Sequence, residues 1–298
     1  MLTEKEFKSR IEYYKQDDRF GRIFLPNNIF EVLLKDERLT KTTGTRTTTH
    51  IDVAYAYVYL YTWLYRNAKY GSMSTENSKV GALKELIGFS KTETRTNYII
   101  NKDGVLDDLG LTRTIPYKDA PARFQFNDDV IEFYTVSDEK IPLTNNRQIV
   151  KEPVFALENS DGEYGYGTFF GSMDNDNISN THNVDFEVFI KCMTNNKLGT
   201  DAFYLYSFLK HKCDVSGGTI EIALTTISQQ TGITRGKRNN ALENLKKYNL
   251  IKCLPATYII DGEADGASVY ICKGANSYIS DGVEFNTRVV AGKKKEEV

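Results

Sequence analysis

A six-residue pattern occurs twice in this chain. Tyr59-Leu60-Tyr61-Thr62-Trp63-Leu64 and Tyr204-Leu205-Tyr206-Ser207-Phe208-Leu209 share the form Y-L-Y-[ST]-aromatic-L at an offset of 145. Downstream, Gly88-Phe89-Ser90-Lys91 matches Gly232-Ile233-Thr234-Arg235 at an offset of 144. Two matches at nearly one offset divide the chain into two copies of one module, which constrains the fold more than any other feature. The length agrees, since 298 residues make two domains at about 150 residues each.

The second copy shows the plan of the module. Asp201 to Lys212 is an apolar run of helix length, broken by Asp214-Val215-Ser216-Gly217-Gly218. Thr219 to Ala223 alternates as a short strand, and Leu224 to Thr231 forms a short helix with Thr225 placed to cap it. Gly232-Ile233-Thr234 is a tight turn in which the glycine suits a left-handed cap and the threonine an N-cap. Arg235 to Tyr248 is a third helix with Leu242, Leu245 and Tyr248 on one face. Cys253 to Ile260 and Ser268 to Lys273 are extended segments joined by the loop Asp261 to Gly266. Helix, strand, helix, glycine turn, helix and hairpin is the order of a winged helix-turn-helix.

The first copy follows the same course. Its helices are expected at Ile51 to Asn67, at Lys79 to Ile87 and from Lys91 onward, with a break at Asn101-Lys102-Asp103-Gly104. Leu111 to Tyr117 opens the wing, and Phe124-Gln125-Phe126 and Ile131 to Val136 are its returning strands. Tyrosines at 55, 57, 59 and 61 alternate as in a strand. The match to the helix-length run around Tyr204 overrules that alternation in favour of a central helix, apolar all round. The expected fold is α+β and helix-rich, with two winged helix-turn-helix domains in tandem. Its parts are an N-terminal extension (1–50), a first domain (51–137), a linker (138–183), a second domain (184–275) and a C-terminal tail (276–298). Within the linker, Val154 to Leu157 and Tyr164 to Phe170 flank Ser160-Asp161-Gly162 as a hairpin.

Charge locates the chemistry. The whole chain has a formal net charge of -2, which by itself argues against nucleic-acid binding. Between Thr234 and Lys252, however, Arg235, Lys237, Arg238, Lys246, Lys247 and Lys252 face Glu243 alone, a net of +5 in nineteen residues. Asn239, Asn240 and Asn244 are interleaved with them. In a helix-turn-helix the second helix of the pair enters the DNA major groove, where Arg and Lys suit guanine and Asn suits adenine. At about 100° per residue, Asn240, Glu243 and Lys247 lie opposite the leucine face. The candidate DNA-binding residues are therefore Arg235, Lys237, Arg238, Asn239, Asn240, Lys246 and Lys247, with Lys91, Arg95 and Thr96 at the matching positions of the first copy. The run from Thr40 to His50 with Lys41 and Arg46 reads as a plain polar loop, with an arm touching phosphates as the alternative, and Lys293-Lys294-Lys295 in the tail is partly cancelled by Glu296-Glu297.

Other classes are disfavoured. There is no G-x-x-x-x-G-K-[ST] sequence, and Gly165-Tyr166-Gly167 has no helix after it to make a dinucleotide fingerprint. His50, His182 and His211 are isolated, giving no triad, so no enzyme and no cofactor are expected. Cys192, Cys213, Cys253 and Cys272 form no C-x-x-C pair and read as reduced thiols rather than zinc ligands. The longest apolar stretch, Ile51 to Leu64, is too short and tyrosine-rich to span a membrane. The charged N-terminus lacks a signal-peptide core, so a cytoplasmic protein without membrane contact is expected.

Paired winged helices in a chain of this size, with Tyr59-Leu60-Tyr61 and Gly88 echoed by Tyr204-Leu205-Tyr206 and Gly232, resemble the replication initiators of bacterial plasmids and phages. The resemblance is architectural and covers about residues 51–137 and 184–275. It implies origin binding at repeated double-stranded DNA sites, recruitment of host replication proteins and oligomer-dependent control, for which a homodimer is one form. DNA would then be read by Arg235, Lys237, Asn239 and Asn240, with Lys91 and Arg95 in the first copy. The sequence leaves open a transcriptional regulator, or an assembly or adaptor protein that uses winged helices for protein docking.

Overall fold

The first copy of the repeated motif lies in a sixteen-residue helix, Ile51–Arg66, every residue of which is buried. The matching segment lies in a seventeen-residue helix, Gly199–Val215. The computed structural model describes residues 1–13, 23–41, 49–127, 130–143, 148–158, 167–168, 180–256, 258–259, 266–283 and 290–291. In chain order the helices are α1 (Glu4–Arg10), α2 (Ile29–Leu34), α3 (Glu37–Thr40), α4 (Ile51–Arg66), α5 (Val80–Leu86), α6 (Asn97–Ile100), α7 (Val105–Asp108), α8 (Val154–Leu157), α9 (Phe186–Thr194), α10 (Gly199–Val215), α11 (Leu224–Thr231) and α12 (Arg235–Lys247). The strands are β1 (Ile23–Pro26), β2 (Thr112–Pro116), β3 (Pro121–Asn127), β4 (Val130–Thr135), β5 (Ile149–Pro153), β6 (Thr181–Val184), β7 (Ile220–Ile222), β8 (Ile251–Leu254), β9 (Tyr258–Ile259), β10 (Ser268–Cys272) and β11 (Val290–Ala291). The fold is α+β, with helices packed against small sheets.

Three of the buried tyrosines on helix α4 find hydroxyl partners inside the protein, whereas Tyr57 Oη is buried without one. Tyr55 Oη hydrogen-bonds His182 Nε2 at 2.8 Å, Tyr59 Oη donates to Val184 O at 2.6 Å, and Tyr65 Oη donates to Glu152 Oε1 at 2.6 Å. Leaving such a hydroxyl buried and unbonded would cost about 1–3 kcal/mol. On α10, Tyr204 and Tyr206 donate to Thr231 O and Lys273 O, both at 2.8 Å, which ties that helix to the parts of its own repeat.

The two repeats meet through these same helices. Tyr59 and Phe203 lie edge to face with centroids 4.8 Å apart, and Tyr55 approaches Tyr204 at 5.3 Å. From α9, Phe186 stacks on Trp63 at 4.0 Å and Phe189 meets Phe203 at 4.8 Å. One hydrophobic cluster therefore runs through both repeats. Phe7, Ile11, Ile29, Phe30, Leu33 and Leu39, read from the sequence as part of an N-terminal extension, pack into that cluster. Strand β1 pairs antiparallel with β6, Ile23 opposite Val184, so the segment before the first repeat is hydrogen-bonded to the segment before the second.

In the second repeat, β10 runs antiparallel between β7 and β8, with Tyr270 opposite Ile220 on one side and Cys253 on the other. Gly232 ends α11 in the left-handed conformation, φ 66°, and a Cβ there would lie 2.6 Å from Leu34 Cδ2. Thr225 does not cap α11: Ala223 occupies the cap position, and Thr225 lies inside the helix.

The first repeat departs from the expected plan in three places. Residues 91–96 form turns instead of opening a third helix, and helical structure is confined to α6 and α7. The cause is local. The Glu93 carboxylate accepts hydrogen bonds from Arg95 N at 2.6 Å, Thr96 N at 3.2 Å and Thr96 Oγ1 at 2.6 Å. Such side-chain bonds give the backbone an alternative to the helical ladder. Lys84 of α5 holds the turn from beneath by donating to Glu93 O and Asn97 Oδ1.

The second departure is in the wing. The partner of β2 is β5, with Thr112 opposite Pro153, while β3 and β4 pair with each other as an inserted hairpin. Arg113 on β2 and Glu152 on β5 join across this pair. Third, Val154–Leu157 is a helical turn rather than one arm of a linker hairpin. The hairpin tip Ser160-Asp161-Gly162, most of 164–170, Arg46, the wing loop 261–265 and the tail 292–298 lie outside the described residues.

One buried histidine makes stability depend on pH. His182 stacks on Phe30 at 5.3 Å, bonds Tyr55 Oη through Nε2, and lies 3.2 Å from Asn27 Oδ1 through Nδ1. Burial, followed by the charges on His211 and Lys210, pushes its pKa down to about 3. The unfolded chain takes up a proton near pH 6.5 and the folded chain does not. Stability contributed by this group therefore falls as pH drops below about 6.5, by about 1.4 kcal/mol per pH unit. Urea midpoints between pH 7 and pH 5 are expected to fall more steeply for the wild type than for His182→Gln, and equal slopes would contradict this.

Candidate nucleic-acid interface

Helices α11 and α12 are joined by the turn at Gly232, and Thr234 occupies the cap position of α12 in extended conformation, φ -65°, ψ 152°. Ala241, Leu242 and Leu245 turn the inner face of α12 into the core. The sequence-predicted cations on this helix divide into two groups with different work.

Arg238 is buried. Its Nη1 donates to Leu224 O at 2.6 Å and Ser228 Oγ at 3.0 Å, and its Nη2 donates to Asn239 Oδ1 at 2.8 Å. It clamps α12 to α11 and is turned away from solvent, a correction to its expected role in DNA contact. Burial, then the charge on Arg235, lowers its pKa from the ordinary arginine value. Asn239 is exposed, with its Oδ1 committed to this clamp.

Lys237 is also redirected. Its Nζ donates to Asp52 Oδ1 at 2.8 Å, in the first repeat, and to Thr49 O at 3.0 Å, just before it. Asp52 is a buried acid in the first turn of α4, and its Oδ2 accepts from Thr200 Oγ1 at 2.7 Å. The pair fastens α12 to the opposite repeat. Next to it, burial and the Asp52 charge pull the Asp201 pKa up to about 6. Asp52, Thr200 and Asp201 were not singled out from the sequence. The sequence carried no sharp signal for Asp52, because it stands in the first turn of α4, where an acid is ordinary.

The remaining side chains point outward. Arg235, Gly236, Asn239, Asn240, Glu243 and Lys247 are exposed, while Asn244 and Lys246 are half-buried. Asn244 Nδ2 donates to Asn240 Oδ1 at 3.2 Å. The segment after β10 packs along the end of α12: Val283 N donates to Lys247 O at 2.7 Å, and Tyr278 stacks on Tyr248 at 6.0 Å.

In the first repeat the three candidates are dispersed. Lys91 is 59% exposed and pairs with Glu85 at 3.4 Å. Arg95 is 81% exposed, with its Nε 3.0 Å from Glu93 Oε1. Thr96 is buried and bonded to Glu93, so it faces the protein rather than a ligand, a further correction. Gly88, Arg95 and Thr96 line a cleft of about 330 Å³ whose other wall is Gly199, Asp201 and Lys237. The glycine turn of the first repeat and the first turn of α12 thus face each other across one small cleft. That separation is far shorter than the 34–36 Å, about one helical turn, between successive half-sites on a duplex.

Among the described residues, no group of three or more His, Cys, Asp or Glu side chains is placed to hold a metal ion. No described helix is long and apolar enough to cross a membrane. Neither a protein-family model, a curated protein nor a solved structure matches this chain.

Proposed function

We propose that residues 199–272 form a winged helix-turn-helix and that α12 binds double-stranded DNA through its outward face. The observation that carries this reading is the arrangement around α12. Helix, strand, helix, left-handed glycine turn and helix follow in order, and β8 and β10 then join β7 in one sheet with β10 in the middle. In such a module the helix after the turn lies in the major groove. Here that helix exposes Arg235, Asn239, Asn240 and Lys247.

The first repeat is a reduced form of the same plan, with its third helix interrupted and a hairpin inserted in its wing. Arg95, on the cleft that Lys237 of α12 also lines, serves phosphates flanking the same site and does not read a second groove. The reading is of a binding protein, and the duplicated module favours replication initiation at repeated plasmid or phage origin sites.

Selection from a random duplex pool by the purified chain tests it. One enriched, contiguous motif is expected. A pool that retains its starting composition through successive rounds contradicts the reading. A plasmid that replicates only with both the protein and repeats of the selected motif identifies an initiator, and repression without replication identifies a regulator.

A further inference from the structure

The outermost row of α12 is Gly236, Asn240, Glu243 and Lys247, all exposed and spaced four, three and four residues apart. A surface that only tracked phosphates would be cationic along its length. This row instead has a carboxylate in its middle, and no described residue forms an ion pair with it. Lys247 lies one turn on, where an intrahelical pair would be favourable. Its side chain is drawn to the segment beyond β10, lying so close to Gly282 that a Cβ there would come within 2.9 Å of Lys247 Cε. Glu243 is therefore left with its negative charge facing outward.

Gly236 is the second anomaly. It lies in the first turn of α12 without a positive φ, and a Cβ added there would meet nothing within 4 Å. Glycine in a helix costs about 0.5–1 kcal/mol relative to alanine, so the fold itself gains nothing from it. Asn240, between the two, has its amide held by Asn244 Nδ2 at 3.2 Å.

We propose that this row reads base edges in the major groove, with Asn240 on an adenine, Glu243 on a cytosine, and Gly236 admitting the groove edge to backbone depth. The assignment rests on the DNA-binding reading above and specifies its target. An asparagine amide matches adenine N6 and N7, and a carboxylate accepts from the cytosine N4 amino group. Three residues of helix rise about 4.5 Å, against about 3.4 Å for a base step, so the two side chains address neighbouring base pairs. An unneutralised carboxylate is repelled by phosphates, so in a groove it gains only from a donor such as cytosine N4.

The test uses the full chain and the duplex it selects, with single-position base substitutions read by fluorescence anisotropy. The wild type is expected to require adjacent A·T and C·G pairs, discriminating against each substitution about ten-fold. Glu243→Gln is expected to lose the preference at the C·G pair alone while binding unrelated duplex more tightly. Gly236→Ala is expected to keep or raise the melting temperature while weakening binding to the selected duplex several-fold. A Glu243→Gln protein with unchanged preference at every position, or a Gly236→Ala protein with wild-type affinity, overturns the base-reading assignment while leaving DNA binding intact. A wild-type chain that retains no duplex overturns the DNA reading, and this assignment with it.

Discussion

Replacing Lys237 by Met is expected to lower folding stability by about 3 kcal/mol, and adding Asp52→Leu to restore most of that loss. The Asp52 side chain is only 2% exposed, and its charge is met by Lys237 Nζ at 2.8 Å, with the Lys237 side chain itself 22% exposed. Without the lysine, a carboxylate stays buried between the two repeats with the Thr200 hydroxyl as its remaining side-chain donor. Replacing both partners by apolar side chains removes that burden, and ion pairs buried this deeply can often be exchanged for packing at little cost. Urea denaturation of the two single variants and the double variant gives the coupling energy directly. A double variant that loses the sum of the two single losses would contradict the pairing. The double variant has a second use. Because Lys237 is committed to Asp52, its DNA affinity is expected to stay near that of the wild type.

The repeated motif, the helices that carry it and the left-handed glycine at 232 were legible in the sequence because each is a local pattern. The tyrosine alternation misleads when read alone, since a helix buried on all sides has no polar face to mark its period. The match between the repeats resolved it. The later strands of the second repeat were legible in part: β10 falls within Ser268 to Lys273, whereas the segment expected as one strand from Cys253 to Ile260 divides into β8 and β9, and β9 pairs with β11.

The features without a local signature depend on contacts distant in sequence or on single side chains. The pairing of β2 with β5 spans an inserted hairpin, so in sequence the nearer strands β3 and β4 imitate its return. The turn at 91–96 depends on one carboxylate, Glu93, competing with the helical backbone. Among the site residues, counting cations could not separate the inward from the outward ones. Helical spacing could have separated one of them: Arg238, Leu242 and Leu245 stand at i, i+4 and i+7, which places the arginine on the core face. Lys237 required knowledge of Asp52, some 185 residues earlier in the chain.

The central claim is that the outward face of α12 holds duplex DNA by its own cations. Arg235 and Lys247 are the exposed cations on that face, and neither takes part in the Arg238 clamp or the Lys237 pair. Charge reversal of both leaves the core untouched and turns two phosphate attractions into repulsions. The most direct measurement is duplex affinity against salt concentration for the wild type and for the double variant Arg235→Glu, Lys247→Glu. A steep fall of log affinity with log salt is expected for the wild type, with each neutralised phosphate adding about 0.9 to the slope. The variant is expected to bind about a hundred-fold more weakly at low salt, with the slope reduced by about 2. A variant that keeps both the affinity and the slope of the wild type would contradict the claim.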